Sequence, residues 1–153
     1  MQQVFLEQQI NITLKKIIEI TKGSFIGPTE SLGINISTIT IDSRSEKKTD
    51  LYIAIIGENH DGNKFTEEAL NNNIRFAIIS DPIFQSKKTI LVKNGKIALA
   101  NIASFLRGQI KPKIIAITGS NGKTSTKEIL VSIMHHYLGK DKLLYTAGNF
   151  NND

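Results

Sequence analysis

Lys113-Ile114-Ile115-Ala116-Ile117-Thr118-Gly119-Ser120-Asn121-Gly122-Lys123-Thr124-Ser125 is the stretch on which the fold turns. Its first half is a short, nearly continuous apolar run, as expected of a strand buried on both faces of a parallel sheet. Its second half is glycine-bearing and polar. Behind it Leu130, Ile133, Met134, Tyr137 and Leu138 recur at helical spacing until Gly139. Strand, glycine loop, helix is the unit from which α/β nucleotide-binding domains are built.

Such a loop has specific chemistry. A helix N-terminus exposes unpaired backbone N–H groups, and its dipole favours negative charge. Gly119 and Gly122 let the backbone curl around phosphates, with Ser120, Asn121 and Ser125 completing the loop. Lys123 can reach the β and γ phosphates and Thr124 can ligate Mg²⁺. The strict G-x-x-x-x-G-K-[ST] pattern would need glycine where Ile117 stands, so the loop is a variant. A phosphate site is the reading taken, against an ordinary strand-helix turn.

Working outward, Thr13 to about Thr21 reads as a helix carrying Leu14, Ile17 and Ile18 and closed by Gly23. Ile34 to Ile41 alternates as a half-buried strand, and Leu51 to Ile56 is a second. Asn63 can cap a helix with Phe65, Ala69 and Leu70, leading to a strand at Arg75 to Ile79. Asp81-Pro82 punctuates the chain, and a domain boundary is expected there, giving domains 1–82 and 83–153. Thr89 to Val92 is the next strand. A helix follows with Leu99, Ile102, Ala103 and Leu106 on one face, stopped by Gly108. Leu143-Leu144-Tyr145 looks like one more strand. The fold class expected is α/β: a small N-terminal α/β domain, then the first strands and loop helix of a mostly parallel ATPase domain that reads as truncated.

Composition sets bounds. Forty per cent hydrophobic residues in 153 suffices for a packed core. With no Cys, disulfide frameworks, thiolate metal sites and a cysteine nucleophile are excluded. Met1-Gln2-Gln3-Val4-Phe5-Leu6-Glu7 lacks a basic segment followed by an apolar one, and no run approaches the roughly 20 apolar residues that span a bilayer. A cytoplasmic protein without a membrane partner is expected. The formal charge of +5 and pI near 9.4 suit anionic ligands. The lysines are scattered, with no basic stripe interleaved with aromatics, so no nucleic-acid partner is expected.

Ile117-Thr118-Gly119-Ser120-Asn121-Gly122-Lys123-Thr124-Ser125 resembles the loop of the Mur ligase family, whose T-G-[ST]-x-G-K-T variant also lacks the first glycine. Asp42-Ser43-Arg44, Gly57-Glu58 with Asp61-Gly62, and Tyr145-Thr146-Ala147-Gly148-Asn149-Phe150-Asn151-Asn152-Asp153 narrow the match to members that add a dipeptide. The resemblance covers essentially the whole chain. It implies a three-domain, monomeric enzyme of cell-wall precursor synthesis, in which ATP and Mg²⁺ drive ligation of D-alanyl-D-alanine to UDP-N-acetylmuramoyl-tripeptide through an acyl phosphate. Domain 1–82 would hold the UDP-sugar, and 83–153 would begin the ATP-binding domain.

By the same resemblance Lys123 is the catalytic residue and Gly119 to Ser125 hold the nucleotide. Ser43 and Arg44 face the UDP-sugar, and Asn149 and Asn152 contact substrate or shape a loop. The alternative for Ser43 and Arg44 is a strand-end Asx turn with a solvated arginine. Two positions depart from the family: Lys48-Thr49 stands where Pro-Gly is usual, and Asn63 where histidine is usual after Asp61-Gly62. His60, His135 and His136 read as surface or packing residues. The remaining catalytic groups would lie beyond Asp153, so these 153 residues alone are expected to bind nucleotide without ligating. A Mur-type relative such as a folylpolyglutamate synthase stays open, because the loop is shared.

Overall fold

The computed structural model describes residues 12–44, 48–139 and 142–146. They form two compact units, one running to Lys111 and a second beginning at Pro112.

The first unit opens with β1 (Ile12–Thr13) and α1 (Leu14–Thr21). Thr13 caps the helix by accepting the Lys16 N–H at 3.3 Å. Leu14 and Ile17 are fully buried. The helix ends in a Schellman motif, with the Gly23 N–H on the Ile18 carbonyl (3.1 Å) and the Lys22 N–H on that of Glu19 (3.3 Å). Lys22, at φ 52°, takes the left-handed position that sequence assigned to Gly23. Gly23 serves another purpose: a Cβ there would collide with the side chain of Ile90.

The strands that follow are β2 (Ser24–Phe25), β3 (Asn35–Ile36), β4 (Ile39–Thr40) and β5 (Thr49–Ile53). The expected single strand Ile34 to Ile41 is thus two. The Asp50 carboxylate accepts from the backbone N–H groups of Ser37 (2.9 Å) and Thr38 (3.2 Å) and from the Thr38 hydroxyl (3.1 Å). That captures donors a continuous ladder would use. β3 pairs antiparallel with β1, Ile36 opposite Ile12, whereas β4 joins the main sheet.

A single 3-10 turn (Gly62–Phe65) leads into α2 (Thr66–Asn71), then β6 (Ile74–Ile79), β7 (Thr89–Leu91) and α3 (Gly95–Ile110). The main sheet has the order β2-β7-β6-β5-β4, with β4 to β7 mutually parallel and β2 antiparallel at the edge. The two-residue period of β5 sorts its side chains. Leu51 and Ile53 pack with Leu14, Ile17, Ala98 and Ile102 from α1 and α3, whereas Tyr52 and Ala54 pack with Ala69 of α2. Helices therefore cover both faces of a mostly parallel sheet, the α/β class expected.

The division expected at Asp81-Pro82 falls inside this unit. β6 and β7 on either side of it pair in parallel, Ile78 opposite Ile90, and α3 packs on α1. Asp81 merely caps a turn at Pro82–Phe84, accepting the Ile83 N–H at 3.0 Å. Gly108 does not stop α3 either. One glycine costs a helix about 1 kcal/mol, and the helix continues to Ile110, ending with Lys111 at φ 48° ahead of Pro112.

In the second unit Lys113 to Thr118 is not a strand, and Ile114 and Ile115 are 56% and 60% exposed. A parallel strand exists only through neighbours on its ladder, and no described residue pairs with this run. α4 (Lys123–Leu138) follows and ends at Gly139, φ 83°. Leu143 to Tyr145 is likewise unpaired as a strand. It lies along α4 through a 2.7 Å bond from Lys127 Nζ to the Thr146 carbonyl and an edge-to-face contact of the His135 and Tyr145 rings at 5.6 Å. No described helix is long and apolar enough to cross a membrane.

Candidate functional site

In the second unit Gly119 (φ 154°) and Gly122 (φ 75°) hold positive φ and turn the chain into the start of α4. Nothing lies within 4 Å of a Cβ added at Gly122, so backbone conformation rather than crowding is what demands glycine there. Gly122 is also the N-cap and supplies no capping side chain, and the first turn carries no acidic residue. The helix's positive end is therefore left for an outside anion. Lys123 folds its ammonium back onto the Gly119 carbonyl at 2.6 Å, placing the cation across the loop. Ser120, Asn121, Thr124 and Ser125 are exposed beside it.

In the first unit the parallel strands deliver their carboxyl ends to one rim, where open α/β sheets bind ligands. β4 leads into Asp42-Ser43-Arg44. Asp42 Oδ1 accepts the Arg44 N–H at 3.0 Å, an Asx turn, and the guanidinium grips both carboxylate oxygens, Nε to Oδ1 at 2.9 Å and Nη2 to Oδ2 at 3.1 Å. These hydrogen bonds hold the Asp42 carboxyl below the usual carboxylate range and raise Arg44. Ser43 is buried and Arg44 exposed. The turn anticipated as the alternative reading is the observed geometry, with the arginine paired rather than simply solvated.

β5 leads into a tight loop, closed where Ile56 bridges Asp61, the Gly57 N–H meets the His60 carbonyl at 2.8 Å and the Gly62 N–H meets that of Ile55 at 2.9 Å. Gly62 has to be glycine, since a Cβ would sit 2.6 Å from the Ile55 backbone nitrogen. Tyr52, buried on β5, donates its hydroxyl to the Gly62 carbonyl at 2.9 Å. Burial first, then the charges of Asp42, Asp61 and Glu68, push its pKa up. A depression of about 340 Å³ lies farther along the rim, lined among others by Lys22, Ser24, Ser80 and Lys93.

Sequence reasoning brought out Ser43, Arg44 and the glycine loop but missed what fixes the rim. Tyr52 fell within the expected strand Leu51 to Ile56 with no role of its own. Asn63 was read as a helix cap, whereas Asp61 caps the turn and Asn63 is fully buried. Its position directly after Asp61-Gly62 was the available signal. Asn149 and Asn152 lie outside the described residues, and no group of three or more potential metal ligands occurs among those described.

The family model described as "Mur ligase family, catalytic domain" matches residues 35–111, a span within the first unit that stops short of the glycine loop. UDP-N-acetylmuramoyl-tripeptide--D-alanyl-D-alanine ligase of Escherichia coli is 31% identical over 144 residues, which is 94% of this chain and 30% of that protein. A crystal structure of MurF from Acinetobacter baumannii superposes with a TM-score of 0.70 at 30% identity, covering 82% of this chain and 28% of that one. A MurF ligase from Thermotoga maritima in complex with ADP gives 0.59 at 30% identity, over 65% and 23%. The chain thus spans about three-tenths of the length of the curated relative it matches.

Proposed function

The chain belongs to the Mur ligase family, and from that premise we propose that it serves the ATP-dependent joining of D-alanyl-D-alanine to UDP-N-acetylmuramoyl-tripeptide in peptidoglycan precursor synthesis. In this reading the unit ending at Lys111 presents the UDP-sugar surface and the segment from Gly119 to Ser125 the nucleotide site. The protein acts in the cytoplasm, as a monomer.

The observation that carries the nucleotide site is the positively polarised start of α4, where Gly122 supplies no capping side chain, with the Lys123 ammonium across the loop. It fits a triphosphate, which needs N–H donors and a mobile cation rather than a cavity. Lys123 exchanges its bond to Gly119 for the β and γ phosphates, and the amides of the loop hold their oxygens. Thr124 would offer its hydroxyl oxygen to Mg²⁺. The ion would supply charge neutralisation on the transferring phosphoryl group.

A terminal carboxylate oxygen of the tripeptide attacks the γ-phosphorus and the bond to ADP breaks. The dipeptide amine then adds to the acyl phosphate carbonyl, its nitrogen gives up a proton to water, and inorganic phosphate leaves with the electron pair of the broken C–O bond as the amide forms. Within this scheme Ser43 and Arg44 face the UDP-sugar, with Arg44 trading its pairing to Asp42 for the ligand's diphosphate. Asn149 and Asn152 serve the substrate end of the reaction.

Calorimetric titration of Mg-ATP into the 153-residue chain tests the site. Saturable binding that Lys123→Ala weakens at least tenfold, about 1.4 kcal/mol, is expected. Equal affinity in the two proteins would overturn it.

A further inference from the structure

We propose that Asn63 is the positioning residue of the rim: its buried side chain fixes the Ile56 to Asp61 loop to the end of β6, and the affinity for the UDP-sugar depends on that anchorage although Asn63 does not touch the ligand. The proposal rests on the reading of the rim as the UDP-sugar surface.

Asn63 is fully buried, and both ends of its amide are used. Nδ2 donates to Asp61 Oδ1 at 2.8 Å and to Ser80 Oγ at 3.2 Å, while Oδ1 accepts the Ser80 backbone N–H at 2.8 Å. The Asn63 backbone N–H adds a second bond to Asp61 Oδ1 at 2.9 Å. One neutral side chain thus ties the end of the loop after β5 to the first residue after β6, seventeen positions on.

Loops of this kind are ordinarily the mobile parts of a fold. Residues 56–60 are exposed, yet the loop base is held at three points: Ile55 to Gly62, Tyr52 to Gly62, and Asn63 to Ser80. Of these the Asn63 link alone spans two strand ends, so it sets where the loop stands relative to the rest of the rim. It also orients the Asp61 carboxylate, which shares with Asp42 the surroundings of the Tyr52 hydroxyl. A preformed loop binds more tightly because the ligand need not order it.

The chemistry makes the link selective. A buried group here must donate twice and accept once. Aspartate has the shape but no donor at neutral pH, and it would face the Asp61 carboxylate. Neutral histidine can donate through one ring nitrogen and accept through the other.

Two readouts on the 153-residue chain test this: affinity for UDP-N-acetylmuramoyl-tripeptide, and hydrogen exchange of the Gly57, Gly62 and Ser80 amides without ligand. Asn63→Asp is expected to accelerate all three amides and weaken binding about tenfold, the net worth of one or two hydrogen bonds. Asn63→His, which keeps the acceptor and one of the two donors, should leave both readouts between those of the parent and Asn63→Asp. Ser80→Ala, which loses only the 3.2 Å bond, is expected to weaken binding two- to threefold, about 0.5 kcal/mol, and decides the matter should Asn63→Asp not fold. Unchanged amide exchange in the folded variants overturns the proposal, as does unchanged affinity alongside faster exchange. A parent chain that does not bind the UDP-sugar at all overturns instead the reading of the rim, while the exchange data still judge the anchorage.

Discussion

The Tyr52 hydroxyl donates to the Gly62 carbonyl at 2.9 Å, joining a buried strand residue to the turn ten positions on that carries the loop back toward α2. Tyr52→Phe keeps the ring and removes the bond, leaving a buried carbonyl short of a partner. A loss of about 1 kcal/mol in urea-denaturation stability is expected at pH 7.

The same hydroxyl gives alkaline sensitivity. Its pKa is raised above the ordinary 10.0, so folding favours the neutral phenol. The stabilisation is full below pH 10 and is lost as pH climbs through the folded-state value. The stability difference between parent and Tyr52→Phe should therefore shrink above pH 10, read from urea midpoints at stepped pH. A difference that grows there would contradict the assignment.

Asp50 holds two strands apart by occupying the N–H groups of Ser37 and Thr38, with Arg75 3.6 Å away. Asp50→Ala leaves those donors without their acceptor and should cost about 1 to 3 kcal/mol. Asp50→Asn, which keeps a carbonyl oxygen, should cost less. Thermal melts of both variants decide the order.

At Gly122 the φ of 75° is one that alanine adopts at a cost of about 1 to 2 kcal/mol. The strain falls on the loop, since no neighbour crowds the site. Gly122→Ala should weaken Mg-ATP binding while leaving the stability of the first unit unchanged, as measured by titration and by exchange of the β5 and β6 amides.

Packing of the first unit is tested by Ile102, 1% exposed on α3 against the sheet. Ile102→Ala should destabilise by about 2 to 5 kcal/mol in denaturant titration.

How far sequence reading reached follows from which signals are local. α1, α4, β5 and β6 were legible because Thr13, Gly139 and the run of apolar residues act within a few positions. The division at Pro82 was not, since it depended on whether β7 would pair with β6, a contact that punctuation by proline does not report. Lys113 to Thr118 has the composition of a buried strand, yet a strand is made by its ladder and not by its residues alone. At the rim, Asp42-Ser43-Arg44 stood out as a motif, whereas Asn63 gained its role from Ser80, seventeen residues away and unremarkable in sequence.

β4, β5, β6 and β7 lie side by side in chain order and point the same way. Each successive connection therefore emerges next to the last, like teeth along a comb, and can be rewritten without disturbing the pleated backing. An engineer wishing to change what this surface recognises could graft one connection at a time, provided each graft kept an amide where Asn63 reaches its neighbour.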